Sequence, residues 1–273
     1  MSEWVLLAAP VILASFVMLF AFVGCFLDSS GYGVGETYED AVTGNQYSVS
    51  YWRLGEAAGA TTAADSKGSN DGTYVGGVTL GQPGLLTGDT DTAALFDGST
   101  GYVSVPRNDD SLNPFKFTVE AFVTVAGGDN EFRAVVSSRN IDADGQHFGY
   151  ILYANDLNKW EAWVGDGTAG DWQRVTGPDV TRGQHYVAMT YDGTTLKLYV
   201  DPGEGFTPLS GDVPYQPNTA NELRIGAGAN ETDPLYFFNG VIDEVAVYNV
   251  DLSLDTLQAH FNLASTGPSS PEE

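Results

Sequence analysis

Tyr236-Phe-Phe-Asn-Gly-Val-Ile-Asp-Glu-Val-Ala-Val-Tyr248 is the segment that indicates the fold most clearly. From Val241 onward its residues fall into two alternating sets, which is the period of a β-strand covered on at least one face. Asn239-Gly240, just before, is a turn signal. The residues after Tyr248 lead into a short helix, which we predict over residues 252–264. The segment therefore predicts a closing strand followed by a C-terminal helix.

The composition favours a large all-β domain and excludes some partners. The chain has 273 residues, with 33 Gly, 12 Pro, 14 Tyr and 14 Phe, which is typical of many short strands joined by tight turns. Its formal net charge is −25, with 36 acidic residues against 11 basic ones. This charge repels phosphates, so we expect the folded domain to bind neither nucleic acid nor anionic lipid head groups. Cys25 is the only cysteine, so no intramolecular disulfide can form.

The N-terminal segment predicts a membrane anchor. Residues 4–27 are 24 residues without a charge, which as a helix of roughly 36 Å would cross a hydrocarbon core of about 30 Å. A cleaved signal peptide fits poorly, because no Lys or Arg precedes Arg53. An alternative is a lipoprotein signal, since Phe22-Val-Gly-Cys25 resembles a lipobox and Cys25 would then carry the lipid. We predict a retained transmembrane helix over residues 1–27 and a linker over 28–46.

The remainder of the chain reads as a succession of strands. Residues 117–125 alternate strictly, and residues 185–201 form a hairpin pattern in which Asp192-Gly193 supplies the turn. Shorter strands are predicted over residues 134–139, 148–154 and 159–165, separated by turns rich in Asp, Gly and Asn. These patterns predict a β-sandwich domain over residues 47–263, with a short tail over 264–273.

Six separated motifs, in the right order, resemble those of laminin G-like domains of the concanavalin A-like lectin/glucanase superfamily. They are Y-W-R-L-G-E at residues 51–56, the loop at 64–74, F-D-G-S-T-G-Y-V-S-V-P at 96–106, F-T-V-E-A-F-V at 117–123, the hairpin at 185–201, and G-V-I-D-E-V at 240–245. The resemblance implies a concanavalin A-like jelly-roll β-sandwich. It also implies that the domain lies outside the cytoplasm, in the periplasm or the extracellular space.

Catalysis is not expected from the carboxylates. Glycoside hydrolysis needs two carboxylates about 5–9.5 Å apart across the scissile bond, and glucanases of this superfamily place them on one face of one strand. Glu120 and Glu161 each stand alone on their strands. Asp243 and Glu244 are adjacent, so a regular strand would direct them to opposite faces. The three histidines are scattered and form no metal-binding motif. We therefore expect a binding protein and not an enzyme.

A calcium ion is the cofactor that the resemblance implies. Laminin G-like domains often hold one structural calcium near the junction of the closing strand and the loop that corresponds to residues 64–74. Calcium takes six to eight oxygen ligands. The positions that match are Asp65, either Asn70 or Asp71, and Asp243, with Asp97 in reserve. In the alternative interpretation, Asp65 and Asp97 cap turns through hydrogen bonds to the backbone.

Aromatic residues of the middle strands could form a platform for a glycan. The candidates lie in or beside the predicted strands: Tyr153, Trp160, Trp163 and Trp172. Trp160 and Trp163 have opposite parity, so at most one of them faces the core of a regular sandwich. The alternative is that most of these rings pack in the core or at sheet edges.

Together these observations predict a non-catalytic, single-pass membrane protein. In the first interpretation it is an accessory subunit, whose helix packs in the lipid bilayer on other membrane proteins and whose sandwich docks on their exposed face. In the second it is a surface lectin or adhesin that binds a glycan. A glycoside hydrolase is the third and least favoured interpretation.

Overall fold

The computed structural model describes residues 36–203 and 209–267. The predicted transmembrane segment, Cys25 and most of the tail lie outside these ranges. Within them, neither helix is long and apolar enough to cross a membrane.

The described chain forms sixteen strands and two helices. The strands are β1 (Ser48–Trp52), β2 (Thr62–Ala63), β3 (Gly72–Val75), β4 (Val78–Pro83), β5 (Thr92–Asp97), β6 (Tyr102–Val105), β7 (Phe117–Val125), β8 (Arg133–Ile141), β9 (His147–Ala154), β10 (Lys159–Val164), β11 (Gln173–Asp179), β12 (Gly183–Tyr191), β13 (Thr195–Val200), β14 (Leu209–Asp212), β15 (Leu223–Ile225) and β16 (Asn239–Tyr248). The helices are α1 (Tyr38–Gly44) and α2 (Leu254–Thr266).

The strands form two antiparallel sheets, which confirms the predicted all-β sandwich. The first sheet has the order β14-β13-β12-β7-β16-β5-β4, with β1 paired to β16. The second has the order β11-β10-β9-β8-β15-β6-β3-β2. The inner faces of both sheets form one apolar core, to which Val119 and Val123 contribute from the first sheet and Leu152 and Trp160 from the second. Because strand residues alternate between faces, each strand also presents residues to the outside of the sandwich.

The outer face of the first sheet is covered by both helices. Tyr38 and Val42 of α1 and Leu257 of α2 pack with Phe122 and Tyr248 of this sheet in a second buried cluster. α2 begins after the N-cap Ser253, whose hydroxyl accepts a hydrogen bond from the Thr256 amide, and lies two residues later than the predicted helix over 252–264.

Helix α1 corrects the predicted linker over residues 28–46. The helix begins with a capping box at Thr37. The Thr37 hydroxyl accepts a hydrogen bond from the Asp40 amide, and the Asp40 carboxylate accepts one from the Thr37 amide. Its apolar side chains follow helical spacing and are buried: Tyr38, Ala41 and Val42. The folded domain therefore begins at least as early as Thr37, and not at residue 47.

The closing strand β16 departs from the regular alternation predicted from its sequence. Its register against β7 shifts between Asp243 and Ala246, and Glu244 has a φ of 54°. Such a β-bulge inserts one extra residue and reverses the parity of the residues that follow. Ile242 and Val245 consequently both face the inner core, although their parity in a regular strand would be opposite.

Candidate functional site

The outer face of the second sheet carries an aromatic cluster. Neighbouring strands place Tyr153 of β9 opposite Glu161 of β10, and Trp163 of β10 opposite Arg174 of β11. These residues have the opposite parity to the core residues Trp160 and Ala162, so they lie on the outer face. We call the cluster the aromatic groove and define it by five rings: Phe132, Tyr153, Trp163, Trp172 and Tyr236.

The rings of the aromatic groove meet mostly edge to face. The centroids of Tyr153 and Trp163 are 5.4 Å apart at 89°, and those of Phe132 and Tyr236 are 5.6 Å apart at 70°. Trp163 and Trp172 lie 6.3 Å apart with a tilt of 34°. Edge-to-face pairs of this kind stabilise each other by about 0.5–1.5 kcal/mol, so they hold the surface rigid.

The aromatic groove has a floor and a rim. Tyr153 and Trp172 are nearly buried and form the floor, whereas Phe132 and Trp163 are partly exposed and Tyr236 is exposed. These five rings, with Arg139 and Ile141, line a cavity of about 230 Å³. The groove therefore presents apolar ring surface around an open cavity.

Two further cavities adjoin the first one and share Phe132 with it. One, of about 340 Å³, lies towards Leu235 and Phe237, and the other, of about 270 Å³, lies towards Leu157 and Arg174. Leu157 and Leu235 are 72% and 51% exposed, which is unusual for leucines and extends the apolar surface at both ends.

The loop after β15 holds Tyr236 in an unusual backbone conformation. Tyr236 has a φ of 59°, a region that bulky residues rarely adopt and that costs of order 1–3 kcal/mol. The loop is fixed by the Arg224 guanidinium, which donates to the carbonyls of Gly228, Ala229 and Thr232. The Tyr236 carbonyl accepts from the Ala134 amide at 2.8 Å. Residues held in such backbone conformations often cluster at ligand-binding regions, so Tyr236 is a candidate site residue.

Two arginines stack on the two tryptophans. The Arg139 guanidinium carbon lies 4.9 Å from the Trp172 ring centroid, and that of Arg174 lies 5.3 Å from the Trp163 ring centroid. Arg139 is nearly buried and forms a two-point ion pair with Glu231, with 3.0 Å between Nε and Oε2. Arg174 is exposed. Arg139 therefore has a carboxylate partner within hydrogen-bond distance, whereas Arg174 has none within 4.0 Å among the described residues.

The structure brings together three of the four predicted glycan-binding residues. Tyr153, Trp163 and Trp172 all belong to the aromatic groove. The prediction for Trp160 is wrong, because its side chain is fully buried between the two sheets. The parity argument correctly separated Trp160 from Trp163. Phe132 and Tyr236 were missed, although Tyr236 opens the segment that indicated the fold, because nothing in the sequence shows that this loop folds back over β8 and β9.

Glu120 and Glu161 are both withdrawn from solvent. Glu120 lies under the helices, where its carboxylate accepts hydrogen bonds from the hydroxyls of Tyr38, Tyr186 and Tyr248 and lies 3.1 Å from Nδ1 of His260. Glu161 is buried in the second sheet, where its oxygens accept from Trp163 Nε1 and from Thr176 Oγ1, each at 2.7 Å. The two carboxylates therefore lie on different sheets of the sandwich.

The predicted calcium ligands are distributed over several turns. The Asp65 carboxylate accepts from the amides of Tyr51, Lys67, Gly68 and Asn70, and that of Asp71 accepts from the Asp65 amide. The Asn70 side chain donates to the Ser50 hydroxyl. Asp97 is exposed at another turn, where it accepts from the amides of Ser99, Thr100 and Gly101. These hydrogen bonds outweigh the loss of solvation and hold the pKa of Asp97 below the usual range.

Asp243 lies on β16, immediately before the bulge. Burial raises the pKa of Asp243 to about 7, and one of its oxygens accepts from the Leu85 amide at 2.8 Å. Burial also raises the pKa of Glu244, which accepts from the Tyr51 hydroxyl. Arg53 joins this region to Glu39, Asp89 and Asp91 through ion pairs of 2.7–2.9 Å.

No group of three acidic, histidine or cysteine side chains with the spacing of a metal site occurs in the two described ranges. Calcium binding stays a prediction. It is tested by whether a chelator lowers the melting temperature and calcium restores it, since a ligand at a hundredfold excess over Kd stabilises the folded state by about 2.7 kcal/mol.

Comparison with solved structures finds the same fold in proteins of different size. Trypanosoma rangeli sialidase matches with a TM-score of 0.58 at 15% identity over 86% of this chain and 35% of the sialidase chain. The binding domain of botulinum neurotoxin DC, in complex with SialylT, matches with a TM-score of 0.58 at 10% identity over 81% of this chain and 52% of the toxin domain. The botulinum neurotoxin serotype D binding domain gives 0.56 at 11% identity, over 79% and 51%. The chain thus spans about a third of the sialidases and half of the toxin domains, and these distant matches show the fold alone.

Comparison of sequences gives the family. No curated protein sequence matches significantly. A model of laminin G-like domains, described as the concanavalin A-like lectin/glucanases superfamily, matches residues 97–258, which include most strands of both sheets and all five rings of the aromatic groove. The chain belongs to the concanavalin A-like lectin/glucanases superfamily.

Proposed function

We propose that this protein is a non-catalytic lectin that binds a glycan in the aromatic groove. The observation that carries the proposal is the arrangement of Phe132, Trp163 and Tyr236 around an open cavity on the outer face of the second sheet. Sugar rings present apolar C–H faces that pack on aromatic rings, while their hydroxyls need polar groups nearby. Asn155, Lys159 and Thr176 supply such groups in the adjoining cavity.

The asymmetry of the sandwich supports this site. Both described helices pack on the first sheet, where aromatic side chains are buried beneath them. The aromatic cluster of the second sheet instead borders three cavities. Aromatic side chains left at a surface cost solvation free energy, so a rigid exposed group of them is more typical of a binding surface than of a solvated one.

The comparisons are compatible with glycan binding. The matching sialidases include complexes with sialic acid, and the matching toxin binding domain was solved in complex with SialylT. These ligands belong to those proteins. They support the proposal only in that proteins containing a similar sandwich were solved with such ligands.

The location of the carboxylates supports binding without hydrolysis. Glu120 is sealed between the first sheet and α2, and both oxygens of Glu161 accept hydrogen bonds from the groove wall. Retaining and inverting hydrolysis both require two carboxyl groups that reach the same glycosidic bond. In our proposal the glycan leaves the groove unchanged.

Glycan binding is tested with the full-length protein in mild detergent. We expect binding to one or more glycans on a broad array, and a loss of affinity of about tenfold or more for Trp163→Ala and for Tyr236→Ala, because interface aromatics carry a large share of binding energy. Phe115→Ala is the matched control, since Phe115 is 69% exposed and lies outside the groove. The proposal would be contradicted if Trp163→Ala and Tyr236→Ala bound the glycan as tightly as Phe115→Ala and the wild type. It would also be contradicted if the wild type bound no glycan at millimolar concentration.

The accessory-subunit interpretation is a second proposal, and one observation favours it. Leu157, Leu235 and Tyr236 are exposed apolar side chains at the ends of the groove, and a protein partner also buries such residues. A pull-down of the full-length protein in mild detergent, followed by mass spectrometry, separates the two proposals. Membrane subunits that co-purify with the wild type but not with Leu235→Asp would identify the groove as a protein interface.

A further inference from the structure

Most of the few cations in this acidic protein are neutralised by a nearby carboxylate. Of the 11 Lys and Arg residues, eight have a carboxylate oxygen within 4.0 Å. They are Arg53, Arg107, Arg133, Arg139, Lys159, Arg182, Lys197 and Arg224. Among the residues that the structure describes, Arg174 is the one arginine without such a partner. In a chain with 36 acidic residues, an unpaired guanidinium is the exception.

Arg174 lies at the aromatic groove. It stands opposite Trp163 in the register of β10 and β11, and its guanidinium stacks on the Trp163 ring. It lines the cavity of about 270 Å³ that adjoins the central one. Stacking on an indole orients the planar guanidinium before any ligand arrives, so fewer degrees of freedom are lost on binding.

The two carboxylates that line this cavity form no ion pair with Arg174 within 4.0 Å. Glu161 is buried, and its two oxygens already accept from Trp163 and Thr176. Asp156 lines the same cavity but lies more than 4 Å from every cationic nitrogen described. The other lysine of this cavity, Lys159, is 2.6 Å from Asp179. Arg174 is therefore the arginine of this surface that has no described carboxylate oxygen within 4.0 Å, whereas Arg139 is paired with Glu231.

Arg139 provides an internal contrast. It stacks on Trp172 in the same way, but Glu231 neutralises it with two hydrogen bonds and the pair is nearly buried. A purely structural guanidinium in this protein thus has a carboxylate partner within the chain. The exposed Arg174 lacks one, and a guanidinium fork matches the geometry of a carboxylate.

We propose that the glycan bound by the aromatic groove is an acidic sugar, whose carboxylate pairs with Arg174 while its ring packs on Trp163. This inference rests on the proposed lectin function and narrows its ligand to carboxylated sugars, such as sialic or uronic acids. The net charge of −25 repels an acidic ligand at a distance, but ions screen that repulsion beyond about 8–10 Å. Within that distance, direct bidentate hydrogen bonds from the Arg174 guanidinium would offset the repulsion.

The test compares pairs of ligands that differ in the carboxylate. Titration calorimetry on the full-length protein in detergent measures sialyllactose against lactose, and trigalacturonate against its methyl ester. We expect the acidic member of at least one pair to bind about tenfold more tightly, because charge-assisted bidentate hydrogen bonds are the strong ones. The pair that shows the difference identifies the sugar as sialic or uronic acid.

Variants then assign the difference to Arg174. Arg174→Gln should lower the affinity for the acidic sugar by about tenfold and leave that for its neutral counterpart within about twofold. Arg174→Lys should retain part of the preference, because it keeps the charge but not the fork. Lys116→Gln is the matched control, since it removes the same charge from an exposed residue outside the groove.

The outcomes separate this inference from the proposed function. Equal binding of acidic and neutral sugars would overturn the acidic preference and leave the lectin function standing. An equal loss for both ligands in Arg174→Gln would assign Arg174 to positioning Trp163, and would also overturn the inference. Absence of binding to both pairs and to the broad array would overturn the lectin function and this inference with it.

Discussion

At the scale of single residues, the groups around Glu120 determine whether its carboxylate is ionised. It is fully buried, and burial by itself raises the pKa of a carboxyl group. The neighbouring His260 and the hydroxyls of Tyr186 and Tyr248 outweigh this effect, so the pKa of Glu120 is lowered and the group stays ionised. The sequence shows only a glutamate alone on its strand. That it joins α1, α2 and the first sheet depends on contacts between residues 66 to 140 positions apart.

We predict that Glu120→Gln destabilises the fold without affecting glycan binding. Replacing the buried carboxylate removes the shared charged acceptor of the Tyr38, Tyr186 and Tyr248 hydroxyls, and leaving buried donors poorly satisfied costs about 1–3 kcal/mol. Since the pKa of Glu120 is lowered on folding, its stabilisation is present above the unfolded pKa and is lost as pH falls through the folded value. Urea denaturation of the full-length protein at pH 7 and pH 4 should show a difference between wild type and variant that shrinks at the lower pH.

Exposed Asp144→Asn is the control for this comparison and should change the free energy of unfolding by less than about 0.5 kcal/mol. An unchanged stability at pH 7 in Glu120→Gln would mean that the network of tyrosines and His260 holds the helices without the charge.

At the scale of elements, the strands with regular alternation could be predicted and the irregular elements could not. The predicted first and last residues of β7 agree with the structure, and those of β8, β9 and β10 differ from it by at most two residues. The bulge at Glu244 was missed because alternation by itself does not reveal an extra residue. Helix α1 was missed because it has only seven residues in an acidic stretch. Thr37 and Asp40, at capping-box spacing before Ala41 and Val42, were the available signal.

Helix α1 gives a prediction that separates a docked element from a linker. Val42→Asp places a charge at a fully buried position of α1, on the side that packs against the first sheet, so we expect a loss of at least about 2 kcal/mol in the free energy of unfolding. Tyr47→Asp, at a 46% exposed position just beyond the helix, is the control and should have little effect. Thermal melts of both variants provide the measurement. If the two melt alike, α1 is not needed for the stability of the sandwich.

At the scale of the whole molecule, the sequence predicted the sandwich and three rings of the aromatic groove, but not how the groove is assembled. The motifs that indicate the fold lie in strands whose pattern is local. The aromatic groove combines strands β8 to β11 with the loop before β16, which are up to about a hundred positions apart in the chain. Only the packing of that loop over the second sheet turns Trp163, Phe132 and Tyr236 into one surface. The same holds for the two helices, which occupy the first sheet and leave the second one accessible.

Helix α1 also shortens the distance over which the domain could extend from a membrane. Residues 28–36 are the nine positions between the predicted anchor and the N-cap Thr37, and nine residues reach at most about 30 Å when fully extended. The predicted linker of 28–46 would have allowed about twice that length. A sandwich anchored in this way binds glycans or proteins at the same membrane surface, and not at a distant one.

We therefore predict that residues 1–27 are retained and that the full-length protein sediments with membranes after a high-salt wash. The reason is the length of the uncharged segment, whose 24 residues span roughly 36 Å as a helix against a hydrocarbon core of about 30 Å. Intact-mass measurement of the native protein should give a chain that includes the segment. A mature chain that begins at a lipidated Cys25 would replace the helix by a lipid anchor, and would place only eleven residues between that anchor and Thr37. A chain that begins after residue 27, recovered in the supernatant, would contradict both kinds of anchor and would free the aromatic groove to act away from the membrane.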